Sequence, residues 1–152
     1  MVKVDHIQSV SASSFEPSYP PVLILDGGSG PEKAWHSAVC PAFPQWIQIG
    51  YPEPVVMERI AIQAQQNGAD GRTNPLRRAP RRVELWAANE PEFRSFHRIA
   101  KGECRYEQAG TWFLLNVPAS SPRALFFRLV ILDNYGDPDY VTIQEMNFFS
   151  HE

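Results

Sequence analysis

Apolar residues recur at every second position in several short runs of this 152-residue chain. Arg59-Ile60-Ala61-Ile62-Gln63-Ala64, Arg82-Val83-Glu84-Leu85-Trp86-Ala87 and Val141-Thr142-Ile143-Gln144-Glu145-Met146-Asn147-Phe148-Phe149 each place apolar side chains on one face. That period predicts half-buried strands, because successive side chains of a strand point to opposite faces. Leu125 to Leu132 is apolar on both phases apart from Arg128, which predicts a central strand covered on both sides. Trp112 to Leu115, Phe96 to Ile99, Val22 to Leu25 and Trp46 to Ile49 bring the set to about eight strands, the number of a double-sheet jelly roll. Short helical pieces are expected only at Pro91-Glu92-Phe93 and Pro31-Glu32-Lys33-Ala34, where proline suits a first helical turn. Residues 65–80 are rich in turn formers and carry no apolar period, so they read as a long loop, the kind of segment that carries function.

Composition agrees with an all-β reading. Fourteen prolines and nine glycines suit many short strands joined by turns, and 43% hydrophobic residues suit a packed core. The length fits one domain over residues 1–152. A net charge of −3 offers no overall attraction to nucleic acid or to an anionic membrane, so any such contact needs a local patch. No apolar run reaches the length of a membrane span and the N-terminus lacks a signal-peptide core, so the chain is expected to be soluble, cytosolic or excised from a secreted protein. Cys40 and Cys104 have no metal-ligand spacing and are expected as unbridged thiols, although one disulfide between them would suit an extracellular setting.

One ordered set of motifs adds more. Leu25-Asp26-Gly27 is followed nine residues after the aspartate by Trp35-His36-Ser37, then by Phe43-Pro44-Gln45-Trp46-Ile47-Gln48-Ile49. With the polar opening Ser9 to Ser14, the strand Arg82 to Ala88, and the closing Leu129-Val130-Ile131 and Ile143-Gln144-Glu145-Met146, this order resembles a discoidin domain. That is the coagulation factor 5/8 C-terminal type, shared with the galactose-binding-like family 32 carbohydrate-binding modules. The resemblance implies a jelly-roll β-sandwich of antiparallel strands and a non-catalytic binding role. It also implies a structural calcium ion at the aspartate loop, with Asp26, Ser29 and Glu145 as ligands. Calcium takes six to eight oxygen ligands, and this loop supplies carboxylates, a hydroxyl and carbonyls. The loop is about two residues longer than the usual family spacing, and Gly28-Ser29 replaces the common asparagine. In the alternation Glu145 is in phase with Val141 and Ile143, which points its carboxylate inward, where it needs a partner: a cation, an arginine, or a strand end open to water.

For glycan-binding relatives the resemblance implies a shallow polar site beside an aromatic platform. The matching candidates are His36, next to the loop tryptophan, Asn67, Asp70, Arg72 and Asn74 from the long loop, and Asn134, Tyr135 and Tyr140 from residues 133–140. The same asparagines and aspartates also make turns without any ligand. Arg72, Arg77, Arg78, Arg81 and Arg82 form a local basic cluster suited to a phosphate, sulfate or carboxylate, unless they pair with Glu84, Glu90 or Glu92. No nucleophile elbow, phosphate loop or HExxH motif is present in the sequence, so no enzyme is expected. Two partners remain open: a glycan, or a protein partner, since discoidin-type domains of ciliary, centrosomal and repair-scaffold proteins use the same jelly roll to hold proteins.

Overall fold

The computed structural model describes residues 1–67 and 75–151. Eleven strands lie among them in chain order: β1 (Val2–Lys3), β2 (Ser9–Ala12), β3 (Trp35–His36), β4 (Gln45–Val55), β5 (Arg59–Gln63), β6 (Arg82–Ala88), β7 (His97–Glu103), β8 (Trp112–Asn116), β9 (Ala124–Ile131), β10 (Thr142–Ile143) and β11 (Glu145–Ser150). A five-stranded sheet has the order β2-β4-β9-β6-β7 and a four-stranded sheet the order β1-β11-β5-β8. A two-stranded ribbon joins β10 to β3, and every pairing is antiparallel. The all-β sandwich expected from the period-two runs is therefore present.

The alternation fills the space between the sheets. Ile47 and Ile49 of β4, Phe127, Leu129 and Ile131 of β9, and Val83 and Leu85 of β6 meet Ile60 and Ile62 of β5, Leu115 of β8, and Met146 and Phe148 of β11. Each fully buried side chain of this size contributes roughly 1.5–3 kcal/mol. Trp35 is 0% exposed and its indole N–H donates to the Ser14 carbonyl at 3.1 Å, so the loop before β3 is tied to the core. The expected central strand is β9, between β4 and β6. Its single charge, Arg128, lies on the outer face between the rings of Trp46 and Phe93, 4.0 and 4.2 Å from their centroids. The guanidinium also donates to Gln48 Oε1 at 2.9 and 2.6 Å, which satisfies a cation in the middle of a sheet.

Three expectations change. Val22 to Leu25 is not a strand but part of a 3-10 helix, Pro21–Leu25. Pro20 and Pro21 donate no N–H to a ladder, and Val22 is 51% exposed while Ile24 is fully buried, which no strand alternation allows. Pro91-Glu92-Phe93 forms no helix; the Glu90 carboxylate accepts the N–H groups of Glu92, Arg94 and Ser95 and closes a turn. The last strand is broken at Gln144, and there the inward phase moves by one residue: Val141 and Ile143 are core residues before the break, Met146 and Phe148 after it. Glu145 thus shares a face with Asn147, opposite Met146, and is buried because the Asp26-Gly27 segment lies over it.

Val2 pairs with Ser150, so the described chain ends meet at one end of the sandwich. The registers Glu145 with Gln63, Gln63 with Trp112, Gln45 with Ile131 and Arg82 with Glu103 gather the connections 13–44, 104–111 and 132–144, with residues 64–67 and 75–81, at the other end. Cys40 is exposed, Cys104 is buried, and neither is in a disulfide. Leu129→Ala, which empties a core position, is expected to cost about 2–5 kcal/mol in urea denaturation, whereas Leu114→Ala on the outer face should stay within about 0.5 kcal/mol.

Candidate functional site

Backbone bonds interlock the loops that meet at this end. Arg81 N–H donates to Asp133 O at 2.9 Å, Cys104 N–H to Arg81 O at 2.6 Å, and Asp137 N–H to Arg77 O at 3.1 Å, while Pro80 bridges to Asn134. Between them lies a pocket of about 290 Å³ lined by Leu76, Arg77, Arg105, Tyr106 and Tyr135. The Tyr135 hydroxyl donates to the Cys104 carbonyl, and the Arg81 guanidinium stands 5.6 Å from its ring centroid. The Tyr106 hydroxyl is buried without a hydrogen-bonding nitrogen or oxygen among the described residues, beside the Cys104 thiol. Burial pushes that thiol up to about 12, so it stays protonated.

Asn134 builds the loop. Its Nδ2 donates to the carbonyls of Asp137 and Tyr140 at 2.9 and 2.8 Å, and its Oδ1 accepts Gly136 N–H at 2.9 Å. Asp137 accepts the N–H groups of Asp139 and Tyr140 and pairs with Arg78 at 3.2 Å. Against the effect of burial, these bonds and the Arg78 charge hold its carboxyl below the ordinary range. Arg78 also covers the Tyr140 ring at 5.1 Å, and the Tyr140 hydroxyl reaches Glu16 at 3.5 Å. Behind Tyr140 lies His36, 7% exposed, stacked on Tyr19 at 4.0 Å and edge-on to Tyr140 at 5.5 Å. Burial and then the Arg78 charge pull its imidazole down to about 4, with a bond to the Pro31 carbonyl opposing, so the ring is neutral at neutral pH. The Gln65 amide donates to its Nε2 at 3.3 Å. Asn67 is exposed, and Asp70, Arg72 and Asn74 lie outside the described residues.

The basic cluster is largely paired, with partners other than the glutamates expected. Arg82 meets Asp133 at 2.9 Å, Arg81 meets Glu103 at 3.4 Å and Arg78 meets Asp137, while Arg77 donates to the Gly136 carbonyl at 3.1 Å. These partners come from β7 and the 132–140 loop, distant in sequence, which is why local inspection pointed elsewhere.

The aspartate loop is held by amides. Gln144 is fully buried; its Nε2 donates to the carbonyls of Gly30 at 2.8 Å and Gly28 at 3.4 Å, and its Oε1 accepts Gln66 N–H at 2.9 Å. Gln66 Oε1 in turn accepts Gly30 N–H at 2.6 Å. Beside this clamp, Glu145 Oε1 accepts Gly27 N–H at 3.1 Å and Asp26 Oδ1 accepts Gly28 N–H at 2.9 Å. Burial pushes the Glu145 carboxyl up to about 7, opposed by the Gly27 bond and Lys3 and reinforced by the Asp26 charge. Two neighbouring carboxylates, one of them desolvated, fit a divalent cation in donor type, and Ser29 stands exposed on the same loop. Among the described residues no three His, Cys, Asp or Glu side chains gather as a metal group. Sequence inspection missed the clamp role of Gln144 and Gln66 and the Arg105-Tyr106 wall of the pocket: Gln144 sits on the polar phase of an alternating run, where the pattern says nothing of its partners, and Gln66, Arg105 and Tyr106 carry no period or motif.

The two sheets and their loop end define an antiparallel β-sandwich with its loops gathered at one end. The chain has the fold of the family 32 carbohydrate-binding modules. A module from Clostridium perfringens solved with GalNAc-β-1,3-galactose superposes with a TM-score of 0.73 at 18% identity, covering 93% of this chain and 94% of that one. The family 32 module of Clostridium perfringens NanJ, solved with galactose, gives 0.71 at 20% identity over 92% and 91%. The module of AlyQ, solved with 4,5-unsaturated mannuronic acid, gives 0.73 at 15% identity over the full length of both chains. No protein family and no curated protein matches the sequence.

Glu145 and His36 drive stability with pH in opposite senses. The folded pKa of Glu145, about 7, lies above its ordinary 4.5, so the native state binds this proton more tightly and stability falls as pH rises through that window. The folded value of His36, about 4, lies below 6.5, so its contribution is present above 6.5 and is lost as pH falls through the window. Glu145→Gln is therefore expected to gain on the wild type by about 1–2 kcal/mol between pH 4.5 and 7, allowing for solvent screening, in urea melts at stepped pH. His36→Gln should shift relative to the wild type in the other direction, losing ground as pH rises from 4 to 6.5.

Proposed function

We propose that this chain is a non-catalytic carbohydrate-binding module and that a sugar ring is met by the loop-end pocket. The observation that carries the reading is the pocket itself, in which two tyrosine rings and a leucine stand beside two arginines. Sugar C–H faces pack on aromatic rings, while sugar oxygens require hydrogen-bond partners. The saccharides bound by the structural neighbours support the same role. A glycan array is expected to return a defined set of bound saccharides. Tyr135→Ala should weaken the best of them by about tenfold or more in calorimetry, and Leu114→Ala should leave it unchanged. A blank array would overturn the reading. It would favour a protein-interaction module instead, a role suggested by Trp112 and Leu114, 40% and 48% exposed on the edge strand β8.

We propose in addition that Asp26 and Glu145, with Ser29, hold a structural divalent cation such as calcium. The ion would offset the repulsion between the two carboxylates and stabilise the native state by mass action. Millimolar calcium is expected to raise the melting temperature by roughly 4–8 °C over chelator for the wild type and not for Glu145→Gln. Equal melting temperatures in calcium and chelator would refute the site.

A further inference from the structure

The loop-end pocket has a charge opposite to that of the chain. Overall the chain carries −3, yet Arg77 and Arg105 form part of the pocket wall, with Arg81 over the ring of Tyr135 and Arg78 next along from Arg77. Two carboxylates answer these four guanidinium groups. Asp137 takes Arg78 at 3.2 Å, and Glu103 is shared between Arg81 at 3.4 Å and Arg105 at 2.6 Å. Arg77 donates to the neutral Gly136 carbonyl at 3.1 Å. Two positive charges are left over at the pocket among the described residues.

The side chains of the wall are also one-sided in their hydrogen bonding. Arg77 and Arg105 are donors only. The Tyr135 hydroxyl is spent on the Cys104 carbonyl and the Tyr106 hydroxyl is buried beside the Cys104 thiol, so the tyrosines contribute apolar ring surface. Among the described residues the wall contains no carboxylate or side-chain amide to accept from a neutral sugar hydroxyl. Such a wall selects a ligand that brings its own acceptors on a ring-sized apolar body. A planar carboxylate suits guanidinium forks, which bind it in bidentate fashion. The volume of about 290 Å³ sits at the small end of ligand sites, roughly 300–1,000 Å³, and suits a single sugar unit at a chain end or branch.

We propose that this pocket recognises an acidic saccharide, a hexuronate unit whose carboxylate is held by Arg77 and Arg105 while its ring lies against Tyr106, Tyr135 and Leu76. The proposal rests on the carbohydrate-binding reading and adds to it the class of sugar.

Calorimetry on the full chain separates the two. The probes are a hexuronate trisaccharide, its methyl ester, and the neutral trisaccharide of the same linkage, each at about 50 and 200 mM salt, since a charge contact weakens with screening. The acid is expected to bind at least about tenfold tighter than the ester at low salt. That preference should shrink at high salt and close in both Arg77→Gln and Arg105→Gln, with melting temperatures held within a few degrees of the wild type. A sulfated neutral trisaccharide binding as tightly as the acid would assign the site to anionic sugars at large and overturn the choice of carboxylate. Equal binding of acid and ester, or a preference unchanged in both arginine variants, would overturn the proposal while leaving carbohydrate binding standing. Absence of binding to any saccharide, on the array as well, would refute the underlying reading too.

Discussion

The arrangement of the loop end depends on one side chain, Gln144. It sits where the last long apolar run changes partner, from β3 to β5, and it is fully buried. A buried amide needs most of its hydrogen-bonding capacity satisfied, or it costs about 1–3 kcal/mol. Gln144 meets that need by reaching two carbonyls of the 26–34 loop and the Gln66 N–H. One residue therefore ties the aspartate loop to the start of the long loop. The break that frees its side chain also moves the inward phase by one, which brings Glu145 under Gly27. The titration of Glu145 and its nearness to Asp26 both follow from that shift.

A second level of order is electrostatic. The arginines of residues 77–82 are spread over four partners from distant parts of the chain, and these contacts join the long loop to β7 and to residues 132–140. Exposed ion pairs add little stability individually. Their effect here is positional: Asn134 is saturated inside its own turn and His36 is packed between two tyrosines, while Arg77 and Arg105 face the pocket. Most of the polar residues singled out from the sequence thus shape the loops, and the surface they shape exposes Arg77, Arg105 and the tyrosine rings.

The strand pattern was legible because it is local. Period-two runs identified β5, β6 and β11, an apolar run on both phases identified β9 and a short apolar run β8, while the Asp26 to Trp35 order with its following strand pointed to the sandwich fold shared with the family 32 modules. Where a local rule failed, a neighbour in the chain or in space overrode it. Two prolines turned an apolar run into a 3-10 helix, and an exchange of strand partners shifted the phase at Gln144.

What the sequence determined by itself was the class of architecture and the kind of loop that carries its polar chemistry, because alternation and turn residues act over a few positions. Which polar groups face one another was decided only by the tertiary structure. Arg81 finds Glu103, Tyr135 finds the Cys104 carbonyl, and Gln144 finds Gly28 and Gly30 across separations that no local period encodes. The physical reason is that a buried donor or acceptor must be satisfied wherever the packed chain supplies a partner, and packing of the two sheets decides which partner is in reach.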